Sequence, residues 1–141
     1  MNGAELKAKM KQDGYIYGTH IVGLSSPVTA NWIAGTGMDF VFICQEHIPL
    51  TREEVSNMCQ LFSSYGVSPM VRIPYPDKNL ATIAVEGGAQ GIVVPYVEEL
   101  SQVEDIINAL KYRPIKGKYL EGDLKTLLKN YIIRNNAFDT E

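Results

Sequence analysis

The segment Phe42-Ile43-Cys44-Gln45-Glu46-His47-Ile48-Pro49 runs from an apolar stretch into a thiol, an amide, a carboxylate and an imidazole in succession. An imidazole after a buried strand and ahead of a helix can take up or release a proton near neutral pH. The same ring could also simply cap a loop by hydrogen bonding. Arg72 stands inside the apolar stretch Met70-Val71-Arg72-Ile73-Pro74. A guanidinium there requires a partner, and a planar carboxylate suits its fork. Two partners are open: an internal acid such as Glu46, or the carboxylate of a small molecule. Glu46 is therefore either the mate of Arg72 or an acceptor behind a metal ligand. Cys44 is either a small buried side chain or a thiolate beside an imidazole. His20, in mid-strand between Thr19 and Ile21, reads as structural, and Cys59 as apolar filler of a helix.

The elements that position these residues follow from periodicity and punctuation. Ala4 to Lys11 reads as a short helix stopped by Asp13-Gly14, and Tyr15 to Leu24 as a strand rich in aromatic and β-branched residues. Ser25-Ser26-Pro27 offers caps for a helix through Thr29–Ala34, ended by Gly35 and Gly37. Asp39 to Cys44 is a second strand. Thr51 followed three residues later by Glu54 is a capping box, opening a helix with Val55, Met58, Cys59 and Phe62 on one face. Ser68 to Ile73 is a third strand, and Asp77 caps a helix with Leu80, Ile83 and Ala84. Gly91 to Val97 is a fourth strand, and Ser101 can cap a helix carrying Val103, Ile106, Ile107 and Leu110. Glu98-Glu99 mark that helix start, and Glu104-Asp105 a solvated face. Lys111 to Asp123 reads as a loop, Leu120 to about Ile133 as a last amphipathic helix, and Arg134 to Glu141 closes the chain.

The pattern is α/β, with strands that alternate with helices, the second and fourth of them apolar on both faces. It leaves a doubly wound sheet or a (β/α)8 barrel. No glycine-rich phosphate loop follows any strand, which removes the usual support for a nucleotide-binding version of the first. In both folds the carboxyl ends of strands carry function. Those ends are Ser25-Ser26-Pro27, Cys44 to His47, Arg72 and Pro95-Tyr96.

With 141 residues, the chain suits a single domain over 1–141. A net charge of −3 argues against nucleic acid as a partner. There is no apolar run long enough for a membrane span and no apolar signal core, so the expected location is cytoplasmic. The two cysteines, Cys44 and Cys59, form neither a disulfide framework nor a zinc motif.

The motifs Gly23 to Pro27, Gly37 to Pro49, Pro69 to Asp77, Gly87 to Glu98 and Lys111 to Lys118 resemble, in order and spacing, the HpcH/HpaI aldolase/citrate lyase family. The likeness runs from about Tyr15 to Lys118. It implies a (β/α)8 barrel truncated to about its first four βα units, since a whole barrel takes roughly 250 residues. It also implies carbon–carbon bond chemistry on a pyruvate-like 2-oxo acid and an aldehyde, with the enolate held on Mg2+ or Mn2+. His47 matches the family's catalytic histidine, which moves a proton with an ordered water. Arg72 matches the arginine that binds the substrate carboxylate and steadies the enolate oxygen.

Two departures stand out. Many relatives pair an Asp with the histidine where this chain has Cys44. The family's metal ligands, a Glu and an Asp, lie on the fifth and sixth strands, and this chain stops where the fifth begins. Asp139 and Glu141 match no motif, so no metal ligand is assigned here and tight metal binding by this chain alone is not expected. The resemblance thus implies a homo-oligomer or a missing C-terminal half as partner. The alternative is a non-catalytic truncated barrel that serves as an assembly module.

Overall fold

The computed structural model describes residues 1–22 and 26–111. The expected helix and loop beyond Lys111, the start of a fifth strand, and Ser25 lie outside the described residues. Within them the order is α1 (Gly3–Asp13), β1 (Gly18–Ile21), α2 (Pro27–Gly35), β2 (Phe40–Cys44), α3 (Arg52–Ser64), β3 (Ser68–Arg72), α4 (Lys78–Glu86), β4 (Gly91–Val93) and α5 (Leu100–Lys111). All three strand pairings are parallel, and the spatial order β1-β2-β3-β4 is sequential. A doubly wound sheet reverses direction at a switch point. These strands do not, and the barrel-type progression is the one present.

Helix starts are set by local chemistry. The Thr51 hydroxyl accepts from Glu54 N–H while Glu54 Oε2 accepts from Thr51 N–H, the reciprocal arrangement read from the sequence. Asn2 and Glu5 form a second capping box that the sequence reading did not include. Ser26 caps α2 with Pro27 in its first turn, where a missing N–H costs nothing. Ser101 is not a cap: α5 already starts at Leu100, and Gln102 Oε1 instead accepts the N–H groups of Glu98 and Glu99 at 2.9 and 3.0 Å.

Two strands are shorter than expected. β1 covers Gly18–Ile21 and does not start at Tyr15, because Tyr15 and Tyr17 precede the ladder and pack tilted against each other in solvent, centroids 5.2 Å apart; Gly23 and Leu24 lie outside the described residues. β4 covers Gly91–Val93 and not Gly91 to Val97. Pro95 has no N–H to give to a ladder, and Tyr96 turns to φ 52°, which ends the extended backbone.

One face of the sheet carries Ile21, Val41, Ile43, Val71 and Ile73 into a core shared with Val55, Met58, Phe62, Ala81 and Ile106 of the helices. The opposite face alternates small with large. A Cβ on Gly18 would sit 2.3 Å from the Phe40 ring, and one on Gly91 would sit 2.4 Å from Met70 Sδ. Such layers fill the inside of a barrel. Helix α1 closes the amino-terminal end of the sheet. Met1 donates to Gly66 O, Gly3 N–H to Gln90 Oε1, and Lys9 Nζ meets Asp39 at 2.5 Å, each partner lying just before a strand. The carboxyl ends of the strands lie opposite.

Candidate active site

Parallel register puts Cys44, the last residue of β2, beside Arg72, the last of β3. The Gln45 N–H donates to Arg72 O at 3.0 Å, which holds the two strand ends together one residue beyond the ladder. The chain then bends, and the His47 N–H returns to Cys44 Sγ at 3.4 Å. This turn brings a ring three residues away back over the strand end. The site is thus the product of a register and a turn.

The side chains converge on the guanidinium of Arg72. Nη2 is 3.0 Å from Cys44 Sγ and 2.5 Å from His47 Nδ1. Nε is 3.0 Å from Glu46 Oε2. That pair is an ion pair without hydrogen-bond alignment, so both buried atoms lack an aligned partner. The Phe42 ring lies beneath, with Arg72 Cζ 5.5 Å from its centroid, a cation–π contact. His20 packs edge-on against the other side of Phe42, centroids 5.4 Å apart, consistent with a structural role. Glu46 Oε1 faces His47 Nε2 at 3.3 Å and accepts the phenol O–H of Tyr96.

The ring nitrogens of His47 are inequivalent. A guanidinium can only donate, so Nδ1 presents its lone pair to Arg72 and the proton of the neutral ring sits on Nε2. The side chain of His47 is 64% exposed, whereas Glu46 is 10% exposed, so the imidazole is the group that meets solvent. Arg72 is held above the ordinary guanidinium range, chiefly by its hydrogen bond to Cys44, with burial opposing. For Cys44, burial pushes the thiol up. Hydrogen bonds from the His47 backbone, the Arg72 side chain and the Glu46 backbone outweigh it, and the net direction is down. Cys59, with no such donors, is pushed up by burial to about 12.

Both residues singled out in the sequence, His47 and Arg72, lie in this cluster and touch. Glu46 takes the internal partnership with Arg72 that the sequence left open. Tyr96 sat among the strand-end residues, but nothing in its neighbours signalled a left-handed backbone that sends the phenol to Glu46. A divalent cation does not fit here. The carboxylate that would bind it already faces a guanidinium, and among the described residues no three His, Cys, Asp or Glu side chains converge as ligands.

The family model described as HpcH/HpaI aldolase/citrate lyase matches residues 21–129. A hydroxypyruvate/pyruvate aldolase of Delftia acidovorans is 31% identical over 118 residues, 84% of this chain and 44% of that one. A 4-hydroxy-2-oxo-heptane-1,7-dioate aldolase of Salmonella arizonae is 30% identical over 66% of this chain and 35% of its own length. The crystal structure of an HpcH/HpaI aldolase from Desulfitobacterium hafniense superposes with a TM-score of 0.70 at 26% identity, covering 86% of this chain and 47% of that one. The chain spans less than half the length of these relatives.

Proposed function

This chain belongs to the HpcH/HpaI aldolase/citrate lyase family, and from that premise we propose that it supplies the proton-transfer and carboxylate-binding half of a carbon–carbon lyase. The substrate class is a pyruvate-like 2-oxo acid with an aldehyde as the second partner. The observation that carries the reading is the contact of Arg72 with His47 at the carboxyl ends of adjacent segments of a barrel-type sheet.

In this reading Arg72 turns its fork from Cys44 and His47 toward the substrate carboxylate and the oxygen that gains charge on enolisation. Phe42 backs the guanidinium and keeps water from beneath it. Glu46 stays behind on Nε and fixes the plane of the fork. His47, whose side chain is 64% exposed, moves the proton through Nε2, the nitrogen that Arg72 does not hold and that faces Glu46 Oε1 at 3.3 Å, directly or through one water. A divalent ion, Mg2+ or Mn2+, would supply Lewis acidity. Its ligands belong to parts of the assembled enzyme other than the described residues, which fits a chain that works with a second copy or a complementary half.

The experiment is proton–deuterium exchange at the pyruvate methyl group with Mg2+ or Mn2+. Exchange should be present in the assembled protein and lost in His47→Ala and in Arg72→Ala. Exchange that survives the double variant overturns the assignment.

One observation favours the second reading, a non-catalytic assembly module: Nη2 and Nε of Arg72 already face the internal partners Cys44, His47 and Glu46. That reading expects no exchange and a stable oligomer, seen by size-exclusion light scattering.

A further inference from the structure

We infer that Cys44 acts as a thiolate and is the positioning residue that fixes the imidazole of His47. The inference rests on the proton-transfer role proposed above for His47 and deepens it.

The argument is a count of protons and lone pairs. Nη2 of Arg72 carries two protons: one meets Cys44 Sγ at 3.0 Å and the other faces His47 Nδ1 at 2.5 Å. Sγ accepts a further N–H from the His47 backbone at 3.4 Å. A thiol proton on Sγ would need an acceptor of its own. Among the described residues the acceptor within reach is His47 Nδ1 at 3.6 Å, and its lone pair is already taken by the guanidinium. A sulfur with two donors aimed at it and no free acceptor is better matched by the anion.

The charges around Sγ agree. Arg72 arrives from β3, and the peptide N–H groups of Glu46 and His47 arrive from the loop after β2. The nearby carboxylate of Glu46 faces Arg72 Nε, the Tyr96 phenol and, at 3.3 Å, His47 Nε2. His20, from β1, faces the Phe42 ring. The sulfur is fully buried, so its charge is screened by these donors and not by water.

The consequence concerns His47. While Arg72 holds Nδ1, the ring can only offer the proton on Nε2. When a carboxylate draws the guanidinium outward, the thiolate remains beside Nδ1. The ring then gives up its Nε2 proton to water and takes one from water at Nδ1, where the N–H hydrogen-bonds to the thiolate, and Nε2, beside Glu46 Oε1 at 3.3 Å, is left with a lone pair as a base. A neutral thiol or an apolar side chain at 44 could not hold the ring in that form.

The test is a far-ultraviolet thiolate titration of the full chain, with Cys44→Ser as blank. Cys59, pushed up to about 12, is silent in the relevant range. The expected midpoint lies below the ordinary thiol value, and moves up in Arg72→Gln. A midpoint at or above the ordinary value overturns the thiolate. Ring-nitrogen NMR of His47 then reads the positioning role. With pyruvate present to engage Arg72, the Nδ1-protonated tautomer is expected in the protein and in Cys44→Asp, and a mixture in Cys44→Ala, whereas the same tautomer in all three overturns it. Neither readout needs turnover, so a failed methyl exchange would count against the aldolase reading alone.

Discussion

Arg72 Nη2 and His47 Nδ1 meet at 2.5 Å although 25 positions separate the two residues in the chain. The pair forms because β2 and β3 end in register and the segment after β2 bends back on Cys44. One cation therefore touches an imidazole, a sulfur and a carboxylate at once. Its shape matters as much as its charge.

Arg72→Lys is expected to behave as a severe change. A guanidinium reaches Cys44 and His47 with Nη2 while its Nε faces Glu46. An ammonium is a single point and cannot span those directions. Methyl exchange on pyruvate should fall by about two orders of magnitude, the scale of removing one donor to a developing oxyanion. A lysine variant with unchanged exchange would mean that only the charge is used.

Glu46→Gln should free the Tyr96 phenol. Tyr96 is held above the ordinary tyrosine range, first by its hydrogen bond to Glu46 and then by that charge, with burial adding and Arg72 opposing. Difference titration of the phenolate absorbance against Tyr96→Phe should show a late-ionising tyrosine that moves down in Glu46→Gln. An unchanged Tyr96 midpoint would show that the phenol does not rest on this carboxylate.

The sequence made the strand ends visible because apolar runs there break into titratable side chains. His47 and Arg72 stood out by type, and the resemblance gave each a role. The capping box at Thr51 and the four βα units were equally legible, since both depend on residues close in sequence. What depended on distant partners was not. The length of β1 is fixed by where β2 starts, and that of β4 by the turn at Tyr96, so composition overran both. The Tyr96–Glu46 link spans 50 positions and needs a positive φ at a residue whose type does not favour it. The Lys9–Asp39 pair likewise joins a helix that composition alone left without a place.

Gly18→Ala should test the packing of the face that carries Phe40. The new Cβ would fall 2.3 Å from the Phe40 ring, within the span of a real atom, and the ring has neighbours on the same face. Overpacking of this kind costs about 1–3 kcal/mol. A paired Gly18→Ala/Phe40→Leu variant should recover part of that loss in urea unfolding, because the smaller side chain gives the methyl room. No recovery would place the strain elsewhere.

Acid stability should depend on Asp39. This carboxylate is 3% exposed and accepts from Lys9 Nζ at 2.5 Å and from Tyr17 N–H at 3.0 Å. The Lys9 hydrogen bond first, and then the Tyr17 N–H, hold it below its ordinary value of 3.8, against the effect of burial. A lowered folded value means that the native state favours the anion. The contribution is therefore complete above 3.8 and is lost as pH falls through the lower folded value. Lys9 runs the other way: it is raised above 10.5, chiefly by the same hydrogen bond, so its share persists below 10.5 and fades as pH rises through the higher folded value. Urea unfolding across that span should show a plateau between the two limits and a fall at the acid end. Asp39→Asn should flatten the acid limb, since the amide does not titrate. Asp39→Ala should cost about 1–3 kcal/mol at neutral pH, because the Tyr17 N–H then loses its acceptor. An Asp39→Asn protein with the original acid slope would show that other carboxylates set the acid limit and that α1 is held to the sheet by its backbone contacts.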